Sequence, residues 1–108
     1  MDSFAIEKVA ENPQSGEIRL LVQGFLDAHT VSHFEQEMNN LMGREFSKIT
    51  IDFSELDYIS SAGIGALMNF TKLLRDKGGD LIIFEPTDKV YKIFDLLGFS
   101  MIFTIQKS

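Results

Sequence analysis

The sequence predicts an α/β fold in a single domain spanning residues 1 to 108, and three observations carry that prediction. From Ile49 onward the apolar pattern runs strand, helix, strand, helix, strand, an order that gives parallel strands joined by right-handed crossovers. Ahead of it, two short runs flank Asn12-Pro13-Gln14-Ser15-Gly16, a cluster of turn formers, which predicts an antiparallel hairpin. Finally, 108 residues with 44% hydrophobic content and only two prolines suffice for one core with short connections. The expected architecture is a small mixed β-sheet, an N-terminal hairpin followed by parallel β-α-β-α-β, with helices packed on it.

Residues 4 to 9 read as the first strand and residues 17 to 25 as the second, where Ile18, Leu20 and Val22 alternate with polar or charged neighbours for part of the run. Asp27 and Thr30 are both candidate N-caps for a helix with Val31, Phe34, Met38, Leu41 and Met42 on one stripe, stopping near Gly43. Ile49, Ile51 and Phe53 share one face of a strand over residues 48 to 53. Residues 54 to 57 then read as a polar turn, and Tyr58-Ile59 returns to the core. A helix over residues 60 to 77 follows, ended by Gly78-Gly79. Leu81-Ile82-Ile83-Phe84 is a continuous apolar run of the kind expected of a strand covered on both faces. After Glu85-Pro86, Thr87 caps a third helix with Val90, Ile93, Phe94 and Leu97 inward, Gly98 closes it, and residues 101 to 105 form the last strand.

Charge and composition exclude several function classes. A formal charge of -6 with ten scattered Lys and Arg residues argues against a direct nucleic-acid surface. The absence of Cys removes disulfides, thiolate metal sites and Cys nucleophiles. No apolar run approaches the roughly 20 residues that span a bilayer, and no secretory signal opens the chain, so no membrane association and a cytoplasmic location are expected.

The helix over residues 60 to 77 has an unusual start. Ile64, Leu67, Met68 and Leu74 recur at helical spacing, whereas Gly63 and Gly65 each cost about 1 kcal/mol relative to Ala inside a helix. Bare glycines leave backbone amides open to an anion or let another backbone come close. The hydroxyls of Ser60 and Ser61 at the same end offer a cap and a place for a phosphoryl group. The crossover topology also puts this turn at the carboxyl ends of the parallel strands, where ligands and partners meet such folds; Asp52, Ser54 and Asp57 share that edge.

Catalytic readings do not fit these residues. Tyr58, Ile59, Ala62 and Gly63 flank the serines, so there is no Gly-x-Ser-x-Gly elbow, and both histidines lie upstream. Gly63-x-Gly65 lacks the third glycine of a dinucleotide fingerprint, and no phosphate-loop Gly-Lys-Ser/Thr occurs. His29 and His33 have i, i+4 spacing without the neighbouring Glu or third ligand of a metal site, and read as solvated helix residues. Asp52, Glu55 and Asp57 suggest either a Mg²⁺ site or a polar loop with a helix-like turn capped by Ser54 and Asp57, the second being favoured. Neither a metal nor a cofactor is expected.

Ile51-Asp52-Phe53-Ser54, followed by Tyr58-Ile59-Ser60-Ser61-Ala62-Gly63-Ile64-Gly65-Ala66-Leu67, resembles the signature of the anti-sigma factor antagonist family, the STAS domain. Gly24-Phe25-Leu26-Asp27-Ala28, Gly78-Gly79-Asp80-Leu81 and Ile93-Phe94-Asp95-Leu96-Leu97-Gly98 resemble that family's other landmarks, in the right order, from about Glu17 to Ile105. The resemblance implies a STAS-like single domain acting as a partner-switching protein in bacterial signal transduction and transcription regulation, with no catalytic activity of its own. Such proteins bind an anti-sigma factor serine/threonine kinase and are controlled by reversible phosphorylation of a serine, which a PP2C-type phosphatase reverses. The acceptor falls on Ser61. Ser60 stands where the family usually has Asp and is the alternative acceptor. The implied partner-binding set is Phe25, Asp27, Ser60, Ser61, Ala62, Gly63, Ile64 and Gly65, with Gly63 and Gly65 admitting the partner close to the backbone and Phe25, in place of the usual Glu, adding an apolar contact. Many members continue into a C-terminal helix, whereas this sequence ends soon after Ile105, so the face that helix would cover is expected to be bare or covered in a homodimer. The alternative reading is a STAS-type scaffold or small-ligand domain whose helix start binds an anion such as a nucleotide phosphate, without a phospho-switch. A small hydrolase is the outsider.

Overall fold

The computed structural model describes residues 4 to 108. In chain order it contains β1 (Phe4–Asn12), β2 (Glu17–Leu26), α1 (Val31–Gly43), β3 (Lys48–Asp52), β4 (Leu56–Ile59), α2 (Ser61–Asp76), β5 (Asp80–Phe84), α3 (Asp88–Leu96), a single 3-10 turn (Phe99–Met101) and β6 (Thr104–Gln106). β1 and β2 form the expected antiparallel hairpin, and the sheet continues β1-β2-β3-β5-β6 with every later pairing parallel.

The register explains the core. Ile18, Ile49 and Leu81 stand side by side across three strands, as do Leu20, Ile51 and Ile83, and all six are buried. Phe34, Met38 and Leu41 from α1, Leu67, Phe70 and Leu74 from α2, and Val90 and Phe94 from α3 join them in one cluster, so the three helices cover this face. Each such side chain removed from water contributes about 1.5–3 kcal/mol of transfer free energy. On the opposite face Arg19, Thr50, Ile82 and Thr104 form a row that no helix covers. The apolar run in β5 therefore does not mark a strand sandwiched between helices. Ile82 is buried on the open face, and the neighbouring Phe84 ring lies 4.3 Å beneath the Arg19 guanidinium.

Four local readings need correction. Residues 54 to 57 are not simply a polar turn, because β4 starts at Leu56 and pairs in parallel with the end of β2 beyond the reach of β3. Asp57 and Tyr58 are both exposed and a bulge interrupts the register, so the period-2 pattern that reveals a strand is broken. Thr30 makes no side-chain cap for α1; Asp27 organises that turn, its carboxylate accepting from the His29 and Thr30 amides and its carbonyl from the Val31 amide. Leu97 is exposed, not inward, because α3 stops at Leu96 and Gly98 turns the chain away with φ 81. Residues 101 to 103 are not strand: the Ile102 and Phe103 amides both donate to the Phe99 carbonyl, and only Phe103 points inward, against Phe94 and Phe99.

The end of α2 is tied down by a polar cluster. Arg75 donates from Nε to Asp80 Oδ1 at 2.9 Å and from Nη2 to the Ile102 carbonyl and Thr104 Oγ1, while Thr104 Oγ1 donates to Asp80 Oδ2. Burial pushes the Asp80 carboxyl up, but these hydrogen bonds, the Leu81 amide and the Arg75 charge outweigh it and hold it below the ordinary carboxylate value.

Candidate functional site

The start of α2 is built by the junction of β2 and β4. Leu26 pairs with Ile59, and the Ser60 amide donates to the Leu26 carbonyl at 2.9 Å, fixing where the helix begins. Ser60 is extended, half-buried and acts as the N-cap, its Oγ accepting from the Gly63 amide at 3.4 Å, a long contact that contributes at the weak end of such caps. Ser61 is the first residue of the helix. It is exposed, and its hydroxyl makes no hydrogen bond among the described residues.

The two glycines turn out to have different jobs. A Cβ on Gly63 would stand 2.8 Å from both the Leu26 carbonyl oxygen and Ile59 Cγ1, so this glycine lets the helix pack against the ends of β2 and β4. It is buried, as is Ile64 at 4% exposure. Neither belongs to the surface that the sequence reading assigned to them, because the same helical turn that presents Ser61 rotates positions 63 and 64 onto the core. Gly65, by contrast, is exposed, and a Cβ there would meet nothing within 4 Å. Ala62 is half-buried.

Phe25 and Asp27 flank Leu26 and so sit beside this helix start. Asp27 Oδ1 accepts from the His29 amide at 2.9 Å and the Thr30 amide at 3.2 Å, and Thr30 Oγ1 donates to the Phe25 carbonyl at 2.8 Å. The carboxylate is therefore occupied in shaping the loop that borders the serines. Phe25 is 45% exposed and meets Tyr58, 40% exposed, edge to face at a centroid separation of 6.4 Å; the Lys89 ammonium lies 5.8 Å from the Tyr58 ring. Tyr58 does not return to the core as the sequence predicts, only Ile59 does, and Lys89 carries no sequence signal for this site. Only the pairing of Phe25 with Tyr58 across β2 and β4, and the packing of α3 on β4, bring them to this end.

Two of the acidic residues at the same edge, Asp52 and Glu55, have structural partners. Asp52 accepts from the Ser54 amide at 2.8 Å, which replaces the Ser54 and Asp57 cap pair read from spacing, and Glu55 accepts from Gln23 at 2.6 Å. His33 packs its ring edge against Phe4. Among the described residues no group of three or more His, Asp or Glu side chains is arranged to hold a metal ion, and no helix is long and apolar enough to cross a membrane.

The STAS domain family model matches residues 9–108, nearly the whole chain. This chain belongs to the STAS domain family. Two curated relatives are an anti-sigma-B factor antagonist of Listeria monocytogenes, 28% identical over 82% of this chain and 78% of its own length, and the putative anti-sigma factor antagonist BtrV of Bordetella bronchiseptica, 28% identical over 94% and 87%. The fold is that of the anti-sigma factor antagonist SpoIIAA: its unphosphorylated form superposes with a TM-score of 0.78 at 20% identity, covering 98% of this STAS domain and 88% of SpoIIAA. The phosphorylated form of the Bacillus protein gives 0.74 at 18% identity, covering 96% and 91%.

Proposed function

We propose that this STAS domain is a partner-switching anti-sigma factor antagonist, which binds an anti-sigma factor serine/threonine kinase and is released by phosphorylation of Ser61, a PP2C-type phosphatase restoring the binding form. The observation that carries the reading is the free, exposed hydroxyl of Ser61 on the first residue of a helix whose start is locked in place by Gly63. Ser60 is the weaker acceptor, since its hydroxyl already caps the Gly63 amide and is half-buried. The names of the curated relatives and the two phosphorylation forms of SpoIIAA support the same reading.

The physics of the switch follows. A phosphoserine brings a charge of about -1.5 to -2 to a helix N-terminus, where the unpaired amides and the helix dipole favour an anion by about 0.3–1 kcal/mol. The fold therefore tolerates the group. A partner covering Ser61 has to strip water from that charge, and a loss of only about 3 kcal/mol weakens binding more than a hundredfold. The docking surface is Phe25, the Asp27 loop, Ser60, Ser61, Ala62 and Gly65, with Tyr58 as a second aromatic beside Phe25, and Gly63 and Ile64 supporting it from below. Aromatic anchors of this kind dominate many interfaces.

The test is phosphopeptide mapping after incubation with ATP and Mg²⁺ in extract of the source cells, with Ser60→Ala and Ser61→Ala in parallel. Label that disappears only in Ser61→Ala supports the switch. If demonstrably active kinases modify no serine in this segment, the switch is lost and a scaffold or anion-binding role takes its place.

A further inference from the structure

α2 and α3 follow the parallel strands β4 and β5, so both helices start at the same edge of the sheet, and the first turn of α3 shares that edge with Ser61. Thr87 fixes α3 there: its hydroxyl accepts from the Val90 amide at 3.2 Å and donates to the Leu56 carbonyl of β4 at 3.4 Å. Lys89 is the second residue of this helix and is exposed. A cation in the first turn of a helix is disfavoured by the helix dipole. The ion pairs among the described residues join Arg44 to Glu11 and Arg75 to Asp80, so no carboxylate holds the Lys89 ammonium. The fold therefore gains little from this charge. What the ammonium does meet is the Tyr58 ring, 5.8 Å away, and Tyr58 in turn stands edge to face with Phe25.

Resting on the partner-switching reading above, we propose that Lys89 sets the specificity of this surface: the kinase places an apolar side chain on Phe25 and Tyr58 and a carboxylate against the Lys89 ammonium. The contacts run without a break from Ser60, whose amide is bonded to Leu26, through Phe25 and Tyr58 to Lys89. Phe25, Tyr58 and Lys89 follow one another at 6.4 and 5.8 Å, well inside the disc roughly 30 Å across that an interface of about 800 Å² per partner covers. A partner that covers Ser61 therefore reaches Lys89 as well. Charge complementarity names the group it brings. Asp57 and Asp88, the chain neighbours of Tyr58 and Lys89, are exposed, and Asp27, Asp52 and Glu55 add carboxylates at the same edge. Lys107 lies over the Tyr91 ring at 4.1 Å instead. A partner's carboxylate is thus repelled over most of this edge and accepted against Lys89. One cation among like charges fixes the register of docking and rejects surfaces that lack the match.

Initial rates of Ser61 phosphorylation, measured with labelled ATP in extract of the source cells over a range of concentrations of the full chain, test this. Lys89→Glu is expected to raise the half-saturating concentration by about tenfold or more with the maximal rate unchanged, while Lys89→Arg keeps the parent value. Raising the salt to about 0.5 M narrows the gap between the parent and Lys89→Ala, as screening of a charge contact requires. Lys72→Glu makes the same charge change at an exposed site in the second half of α2 and leaves the parent value unaltered. Far-UV circular dichroism and melting temperature of the Lys89 variants match the parent, because Lys89 bonds no carboxylate in the fold. A half-saturating concentration that Lys89→Glu leaves within about twofold of the parent, or that Lys72→Glu raises as much, overturns the proposal and leaves the Ser61 switch standing. Absence of label on Ser61 of the parent chain, in extract whose kinases are demonstrably active, removes the partner-switching reading and this inference with it.

Discussion

Substituting Gly63 and Gly65 separately by Ala tests how the start of α2 is built. Both sit in the first turns of one helix, and propensity alone makes both substitutions stabilising by up to about 1 kcal/mol. The surroundings separate them. At position 63 the added methyl would stand 2.8 Å from the Leu26 carbonyl oxygen, a backbone atom held in the β2–β4 junction, and 2.8 Å from Ile59 Cγ1. Carbon atoms in good contact sit about 3.5–4.0 Å apart, so the helix start has to move by several tenths of an ångström. Overpacking of this kind costs about 1–3 kcal/mol, which leaves Gly63→Ala destabilised by about 0–2 kcal/mol after a helical gain of up to about 1 kcal/mol. In a domain of this size the loss lowers the melting temperature by up to roughly 16 °C. Gly65→Ala meets nothing and raises it by a few degrees. Thermal and urea melts followed by far-UV circular dichroism measure both. A Gly63→Ala variant as stable as Gly65→Ala would refute the claim that Gly63 serves packing.

Two further outcomes follow from the polar contacts. Asp27→Ala removes the acceptor of the His29 and Thr30 amides and is expected to cost about 0.5–2 kcal/mol in a urea melt, as for other lost caps; an unchanged midpoint would show that the turn holds without the carboxylate. Asp80 has a folded pKa below its ordinary 3.8, so it contributes stability that is present above that value and lost as pH falls through the lower folded one. Acid titration of the melting temperature should therefore show a smaller loss below pH of about 4 in Asp80→Asn than in the parent chain, and equal slopes would remove Asp80 from the acid response.

The sequence by itself determined the order of elements, the hairpin and the parallel crossovers, because hydrophobic periodicity and turn chemistry are local signals that the helix-covered face of the sheet obeys. It also placed Ser60 and Ser61 at a helix start at the carboxyl end of the strands. The tertiary structure decided what long-range packing controls. β4 is a strand only because the end of β2 extends past β3 and needs a partner. Gly63 and Gly65 look alike in sequence, and their difference comes from Leu26 and Ile59, residues that approach one of them and not the other. Leu97 fits the inward stripe of α3 by spacing and is exposed because the helix stops at Leu96 and Gly98 then turns the chain away. Tyr58 joins Phe25 only through pairing between strands 33 residues apart in sequence, a contact that no pattern within either segment encodes.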